Sequence, residues 1–543
     1  LALGATVIVP WVLMALDRAD IEAVESPLIL SVARQLEYGP AQLYGPYGGR
    51  NPLVLIHAPL YYRLVGLIAY PASLLGAGGE MAAIAAGRSV SALGLVVTLV
   101  ASYGLARPGS AGRRAGLWAA LLIAATPVCA AVPFEVRPDM LAVGLQTTGI
   151  FIVTAMLVGP LQGSKGVLAA FGCFAVAGCV KQHFVAAPLV STLLLAAAVA
   201  RGRMRARAVA GGIAFLLLIV GSYYALEEWI SGGQMSRSVF IAAWNVREVH
   251  PASWGAAGAM ALALLWKCVG IVLLMAAAGL ARLSTPAGRS HSWILGMGTL
   301  LIAAIAALTA VQLVSVNRYV SQLIVLGLLP LFMIAIPAQA ITARSDQGAG
   351  IDKVLWVFWA VEMTVAILLW QESTGAWFNY ALQAVVILCV ITARAVDRAL
   401  RESTSWRSVV PICLAAMAVP AYAFTDVRQI IAKRSDDASG LARLAEAAEG
   451  RRSSIYCAGR PGVNRLDGRT DLVFDPWLYP VFESIGLAEP RAIWLERALS
   501  EGPVRIVATD SSSGRIDGLA RSPVELGYRL KTRAGPFFVW VRP

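Results

Sequence analysis

The sequence predicts an all-α polytopic membrane protein of about 13 transmembrane helices, followed by a small extracytoplasmic α/β domain at the C-terminus. Three observations carry this. Of 543 residues, 58% are hydrophobic and 14% charged, whereas soluble domains average about 25% charged. Apolar runs of membrane-spanning length recur through the first four-fifths of the chain, with a mean hydropathy of +0.68. From Asp426 onward charges rise and the long runs end.

The expected spans, in order, are Leu1–Leu16, Ser89–Leu105, Gly116–Val132, Met140–Val158, Val167–Val180, Phe184–Ala200 and Val209–Leu226. Gly255–Leu280, Trp293–Val314, Val320–Ile341, Val354–Trp370, Trp377–Ile391 and Val409–Phe424 follow. The first lacks a small-residue cleavage site before Asp17, which argues against a removed signal peptide. Arg107, Arg113 and Arg114 share one connection, Arg201, Arg203, Arg205 and Arg207 a second, and Arg394, Arg398, Arg401 and Arg407 a third. Alternation puts all three on one side, so the positive-inside rule makes the N-terminus cytoplasmic and the C-terminal domain extracytoplasmic, in a plasma (inner) membrane. The net charge of +13 is thereby accounted for by cytoplasmic loops rather than by nucleic-acid binding.

Residues 17–88 form a long first outer loop with two interfacial helices, Ser26–Tyr38 and one starting near His57. Counting the second as a span would turn the arginine-rich loops outward. The transmembrane domain is thus 1–424 and the C-terminal domain 425–543. In the latter, "ASGLARLAEAAEG" (Ala438–Gly450) reads as a helix and "SSIYC", "PVRIVATD" and "PFFVWV" as strands. Six of seven cysteines fall in apolar runs without CxxC spacing, and the four histidines form no local metal motif; the cysteines read as small buried hydrophobes. "CAGRPGVNRLDGRTD" (Cys457–Asp471) is glycine-rich but matches no phosphate-loop pattern, and a lid is the expectation.

Polar groups concentrate at the outer ends of the spans. Asp17, Asp20, Glu22 and Glu25 crowd the first exit, ahead of "VESPLILSVARQLEYG" (Val24–Gly39) with Arg34. "HAPLYY" (His57–Tyr62), "FEVRPDMLA" (Phe134–Ala142, with Arg137 and Asp139), "GCVKQHF" (Gly178–Phe184, with Lys181) and "SVNRYVSQ" (Ser315–Gln322, with Arg318 and Tyr319) follow. "AAWNVREVHPASW" (Ala242–Trp254) offers tryptophans better read as interfacial anchors.

The order of these motifs resembles the GT-C superfamily of polyprenyl-phosphate-sugar-dependent glycosyltransferases. The likeness is greatest to the branch with protein O-mannosyltransferases and the lipid A aminoarabinose transferase. It covers roughly residues 1–210, the later spans in outline and the C-terminal domain hardly at all; Ala58 replaces a proline of the family's pattern. The resemblance implies an inverting transferase with Glu25 and Asp139 as catalytic acids, Glu25 as the general base and Asp139 positioning acceptor or donor opposite it. It also implies that Arg34, His57, Tyr61, Arg137, Lys181, Arg318 and Tyr319 bind substrate.

Chemistry fits this expectation. A sugar on a lipid phosphate carries its own leaving group, so one carboxylate to deprotonate an acceptor hydroxyl and cations for the departing phosphate suffice. No Asp-x-Asp follows the first span, Asp20-Ile21-Glu22 being only an echo, so no cofactor is expected and a divalent metal is not favoured. The expected partners are a polyprenyl-phosphate sugar, a glycolipid, polysaccharide or protein acceptor, and membrane lipids. Each residue also has a plainer reading. Glu25 and Asp139 can cap helix N-termini, Arg137 can pair with Asp139 locally, and Lys181 can snorkel. Lys267 and Glu362, inside expected spans, keep a lipid-linked-sugar flippase or secondary transporter open. A non-catalytic envelope assembly protein is a further alternative.

Overall fold

Two amphipathic helices open the computed structural model, α1 (Glu25–Tyr38) and α2 (Leu60–Leu74). Leu28, Ile29 and Val32 of α1 and Tyr61, Tyr62 and Val65 of α2 are enclosed, whereas Leu67, Ile68 and Leu74 stand exposed. An apolar face left open on so short a helix suits the membrane interface, as expected from the sequence. The structure describes residues 25–44, 55–108, 112–158, 163–251, 253–283, 347–372 and 378–402. In the C-terminal part it describes most of 455–543 and scattered positions of 440–446. The expected spans Leu1–Leu16, Trp293–Val314, Val320–Ile341 and Val409–Phe424, and the 424/425 domain boundary, lie outside the described residues.

The bundle continues with α3 (Gly79–Ala106), α4 (Arg113–Ala125), the short α5 (Pro127–Ala131), α6 (Asp139–Val158), α7 (Ser164–Val180), α8 (Ala186–Ala200) and α9 (Ala206–Ile230). After α10 (Ala243–Val249) come α11 (Trp254–Lys267), α12 (Val269–Leu283), α13 (Gln347–Glu372) and α14 (Leu382–Glu402). Among the described residues five helices are long and apolar enough to cross a membrane, or up to seven if each bent pair is one span, with α7 and α8 as shorter apolar helices. Every span drawn from the sequence within the described residues coincides with one of these.

Four sequence expectations are corrected in detail. α3 begins at Gly79, so the last ten residues of the expected loop 17–88 are helical and carry Arg88 inside the bundle, where an ion pair offsets its burial. The expected span Gly116–Val132 bends by 73° where Pro127, which lacks an amide hydrogen, ends α4. The expected span Gly255–Leu280 bends by 65° at Cys268. The expected outer loop 227–254 is largely helical, from the end of α9 through α10.

Small residues set how closely α3 and α6 cross. A Cβ on Gly94 would stand 2.4 Å from the Leu141 nitrogen, and one on Gly144 2.7 Å from the Gly94 oxygen. Backbones can meet this closely only where both faces lack side chains. At the opposite end of α3, Arg394 donates to the Ala106 and Pro108 carbonyls (2.9 and 2.8 Å) and to Asp352 of α13 (2.6 Å); Arg398 shares Asp352 at 2.5 Å. Carbonyls at a helix C-terminus are thus satisfied by charge, and two of the arginine-rich connections share one end of the bundle.

The C-terminal part forms a four-stranded sheet of β1 (Ile455–Cys457), β2 (Ile506–Thr509), β3 (Arg529–Ala534) and β4 (Phe537–Val541), in the order β1-β2-β4-β3. β1 and β2 are parallel, with Ile455 opposite Ile506, and β4 is antiparallel to both β2 and β3. β3 escaped the sequence reading. It is an edge strand rich in exposed Arg and Lys, which hides the apolar alternation while guarding the edge. Helices α15 (Pro461–Leu466), α16 (Tyr479–Ser484) and α17 (Arg491–Ser500) pack around the sheet.

Gly94→Ala is expected to force α3 and α6 apart at a cost of about 1–3 kcal/mol. Gly221→Ala, with nothing within 4 Å of its added methyl, should leave thermal unfolding in detergent near the wild-type midpoint. Equal midpoints for the two variants would refute the close crossing.

Candidate functional site

The site gathers where α6 begins and α7 ends. Asp139 is the first residue of α6 and Lys181 caps α7 in extended backbone. Both side chains are enclosed, and the Lys181 ammonium is ion-paired with Asp139 Oδ1. Asn379, in the turn before α14, donates to the same oxygen at 3.0 Å. Arg137 Nε lies 3.3 Å from Asp139 Oδ2, an oxygen that accepts no hydrogen bond among the described residues. Arg137 also meets Glu135 at 3.1 Å. Burial draws the Lys181 pKa down while the Asp139 carboxylate pulls it back up, so the pair holds its charges by mutual neutralisation.

Glu25 occupies the first turn of α1 and is wholly enclosed. Its Oε1 accepts from Arg88 Nε at 3.0 Å and from the Val136 amide at 3.1 Å, with Arg88 Nη2 at 2.9 Å. The Ser91 hydroxyl lies 2.8 Å from the Glu135 carbonyl and 2.9 Å from that of Arg137. Tyr61 lies 2.8 Å from both Ser91 Oγ and the Gly87 carbonyl. The 135–139 segment therefore joins Glu25 and Asp139 in one polar network.

His57 enters from the segment before α2. Gln182 pins that segment, donating to the Ile56 carbonyl at 2.7 Å and accepting from the Ala58 amide at 3.0 Å. Tyr44 donates to the His57 carbonyl at 2.5 Å. His183 lies against Tyr380, with ring centroids 5.1 Å apart, and Lys181 Nζ is 5.2 Å from the centre of the same ring. His57 Nδ1, Tyr62 Oη, His183 Nε2 and Asn379 Oδ1 are buried without hydrogen-bond partners among the described residues. Buried polar atoms normally have partners, so these four are where water or a polar ligand can bind. Burial, and then the Lys181 charge, lower the His57 pKa well below its usual value and that of His183 to about 3. Both rings are neutral at pH 7, each with one donor and one acceptor.

Of the residues expected from the sequence, Glu25, His57, Tyr61, Arg137, Asp139 and Lys181 are brought together. Arg34 has another setting: it donates to the Gln42 carbonyl at 2.8 Å and Leu43 at 3.5 Å, pinning the turn after α1. Arg318 and Tyr319, like Asp17, Asp20 and Glu22, lie outside the described residues. Sequence reading missed Arg88, Gln182 and Asn379. Arg88 alone left a signal, as a charge in an otherwise apolar run. Lys267 and Glu362 both have neighbours within the fold. Lys267 lies 5.4 Å over the ring of Phe378, next to Asn379, and the Ala187 amide in the first turn of α8 reaches Glu362. Among the described residues no three His, Cys, Asp or Glu stand together as metal ligands.

Fold and site together define a membrane-embedded chain with a buried carboxylate–cation centre at one end of its bundle. No protein-family model matches the sequence, and no curated protein matches it. Among solved structures, the chain is similar to ArnT from Cupriavidus metallidurans, an apo form at 14% identity. That match covers 99% of this chain and 97% of that one with a TM-score of 0.48. It is similar also to the same protein bound to undecaprenyl phosphate, at 14% identity and a TM-score of 0.46, with the same coverage. A third is the archaeal oligosaccharyltransferase AglB from Archaeoglobus fulgidus, in complex with an inhibitory peptide and a dolichol-phosphate. Its identity is 11%, its TM-score 0.44, and the match covers 93% of this chain and 69% of that one. ArnT and AglB are GT-C superfamily members.

The histidines predict a pH dependence with a definite sign. Their pKa values are lowered on folding, so the unfolded chain binds more protons below about 6.5 and stability falls as pH drops from 7 toward 4. In His183→Gln this loss should be shallower, read as the detergent-phase melting temperature against pH. An unchanged slope would mean that His183 is not buried as a neutral ring.

Proposed function

We propose that this protein is an integral-membrane inverting glycosyltransferase. It moves a sugar from a polyprenyl-phosphate donor to a hydroxyl of a cell-envelope glycolipid, polysaccharide or protein. The observation that carries the reading is the enclosed Asp139–Lys181–Arg137 centre, ringed by orphaned polar atoms, at one end of a bundle of apolar helices. A lipid-borne anion can reach such a centre from the membrane, and cations are its natural partners.

In this reaction the acceptor oxygen bonds to the anomeric carbon while the bond from that carbon to the phosphate oxygen breaks. The acceptor's proton passes to a carboxylate, and polyprenyl phosphate leaves with one more negative charge, met by Lys181 and Arg137. Asp139 suits the base better than Glu25: among the described residues its Oδ2 accepts no hydrogen bond and faces only the Arg137 charge at 3.3 Å, whereas Glu25 Oε1 is engaged by Arg88 and Val136. The neutral His57 and His183 can donate to and accept from sugar hydroxyls. No cofactor is invoked. The transport alternative asks for charged sites near the midplane, whereas the charges that gather in this fold are Asp139, Lys181 and Arg137, at the start of α6 and the end of α7.

The proposed topology has the site outside. Single cysteines at positions 37 and 531 should react with an impermeant maleimide in intact cells, and one at 205 should not. Labelling at 205 alone would invert the arrangement.

Asp139→Asn should lower transfer per folded molecule by about 10²–10⁴-fold. Glu25→Gln should cost stability by depriving buried Arg88 of this carboxylate, while turnover per folded molecule stays within about tenfold of wild type, below the loss of a general base. Transfer is measured from a panel of undecaprenyl-phosphate sugars, with monodisperse protein as the denominator. The reverse pattern would move the base to Glu25, and full activity in both variants would end the reading.

A further inference from the structure

The C-terminal domain reaches the polar network through a residue that its glycine-rich stretch conceals. Arg465, at the end of α15, has no exposed surface although it is among the largest side chains in the chain. Its Nε donates to Ser26 Oγ at 2.8 Å, and its Nη1 is ion-paired with Glu80 in the first turn of α3. Ser26 follows Glu25, and Arg88, the partner of Glu25, lies two turns along α3 from Glu80. A second contact stands apart from the first. Ile56, beside His57, packs in the same apolar cluster as Tyr456, Tyr479, Phe482 and Trp494 of the C-terminal domain, and Ala242 and Val246 join it. Val473 meets Leu30 of α1.

We infer that the C-terminal domain is a positioning element of the site, with Arg465 as the residue that holds the start of α1 against the start of α3. A planar guanidinium can bind a hydroxyl and a carboxylate at once in fixed directions, which a lysine cannot reproduce. The arginine is out of water and bonded to two helices of the membrane part, so withdrawing the domain would break both contacts at once. Keeping the domain seated is therefore coupled to keeping Glu25, Arg88 and the Ile56–Ala58 segment in register. Arg465 acts through α1 and α3, and it is not assigned contact with substrate.

The inference builds on the proposed transferase site, and its test separates the two. Hydrogen exchange of the full-length protein in nanodiscs reads the α1 amides (25–38) and, as a control, β2 (506–509); undecaprenyl phosphate affinity is measured alongside. Arg465→Met should speed exchange in α1 by about tenfold or more, the consequence of losing a charge-assisted hydrogen bond, and leave β2 protected. Undecaprenyl phosphate should bind several-fold more weakly, and Arg465→Lys should recover only part of both effects. Wild-type exchange in α1 together with a protected β2 would overturn the inference. Should Arg465→Met also deprotect β2, Ser26→Ala and Glu80→Gln decide from the membrane side. Faster α1 exchange with β2 intact supports the coupling, and unchanged α1 exchange refutes it. If the wild-type protein fails to bind undecaprenyl phosphate, the transferase reading fails, while the exchange data still decide whether Arg465 positions α1.

Discussion

A carboxylate and an ammonium removed from water must neutralise each other, and Asp139 and Lys181 do so where neither has solvent to fall back on. Removing one partner of such a pair costs about 3–5 kcal/mol, because the other charge is left buried. That penalty ties the first residue of α6 to the residue that ends α7, so the two helices must share an end of the bundle. Asn379 brings the start of the last described span to the same oxygen. Segments some 240 residues apart in sequence are therefore set by one ion pair.

The short chain from Glu135 to Asp139 extends that constraint to the interfacial helices. Its Val136 amide donates to Glu25, its Glu135 and Arg137 carbonyls share the single proton of Ser91, and Ser91 meets Tyr61. Backbone groups in a bend between helices need partners when buried, and here side chains of α1 and α3 supply them. The Gly94–Gly144 crossing makes this possible, since without it α3 would stand too far from α6 for Ser91 to reach. Packing and polar satisfaction thus specify the same geometry, as a well-determined native state requires.

Much of this was legible in the sequence, for a physical reason. Spans alternate, so polar motifs on successive outer ends must meet, and the order of Glu25, His57, Arg137, Asp139 and Lys181 already placed them at one end. What could not be read is which polar atoms pair. Glu25 looks like an exposed helix cap, and only the fold reveals Arg88 beside it. Gln182 carries one donor and one acceptor that suit countless sites, and nothing in its neighbours announces a clamp on Ile56 and Ala58. Arg34 keeps the spacing of a substrate ligand, and its Nε and Nη2 also reach the nearby Gln42 and Leu43 carbonyls, which the sequence does not announce. Arg465 sits in a stretch whose glycines suggested only a lid, because a contact with Ser26 across more than 400 residues leaves no local pattern.

The charges of the network bear on how the proposed reaction is ordered. Glu25, Glu135 and Asp139 face Arg88, Arg137 and Lys181, so the acids and cations balance before any donor arrives. A lipid phosphodiester brings one further negative charge into an enclosed place, where an uncompensated charge is costly. Among the described residues Lys181 and Arg137 are the cations paired with Asp139, so a phosphate at this centre would compete with that carboxylate for them. Were those cations to turn to the phosphate, the Asp139 carboxylate would lose its partners and be free to take the acceptor's proton. In the proposed reaction donor binding and base activation would then be one event, with Asp139 neutralised by Lys181 until a donor arrives.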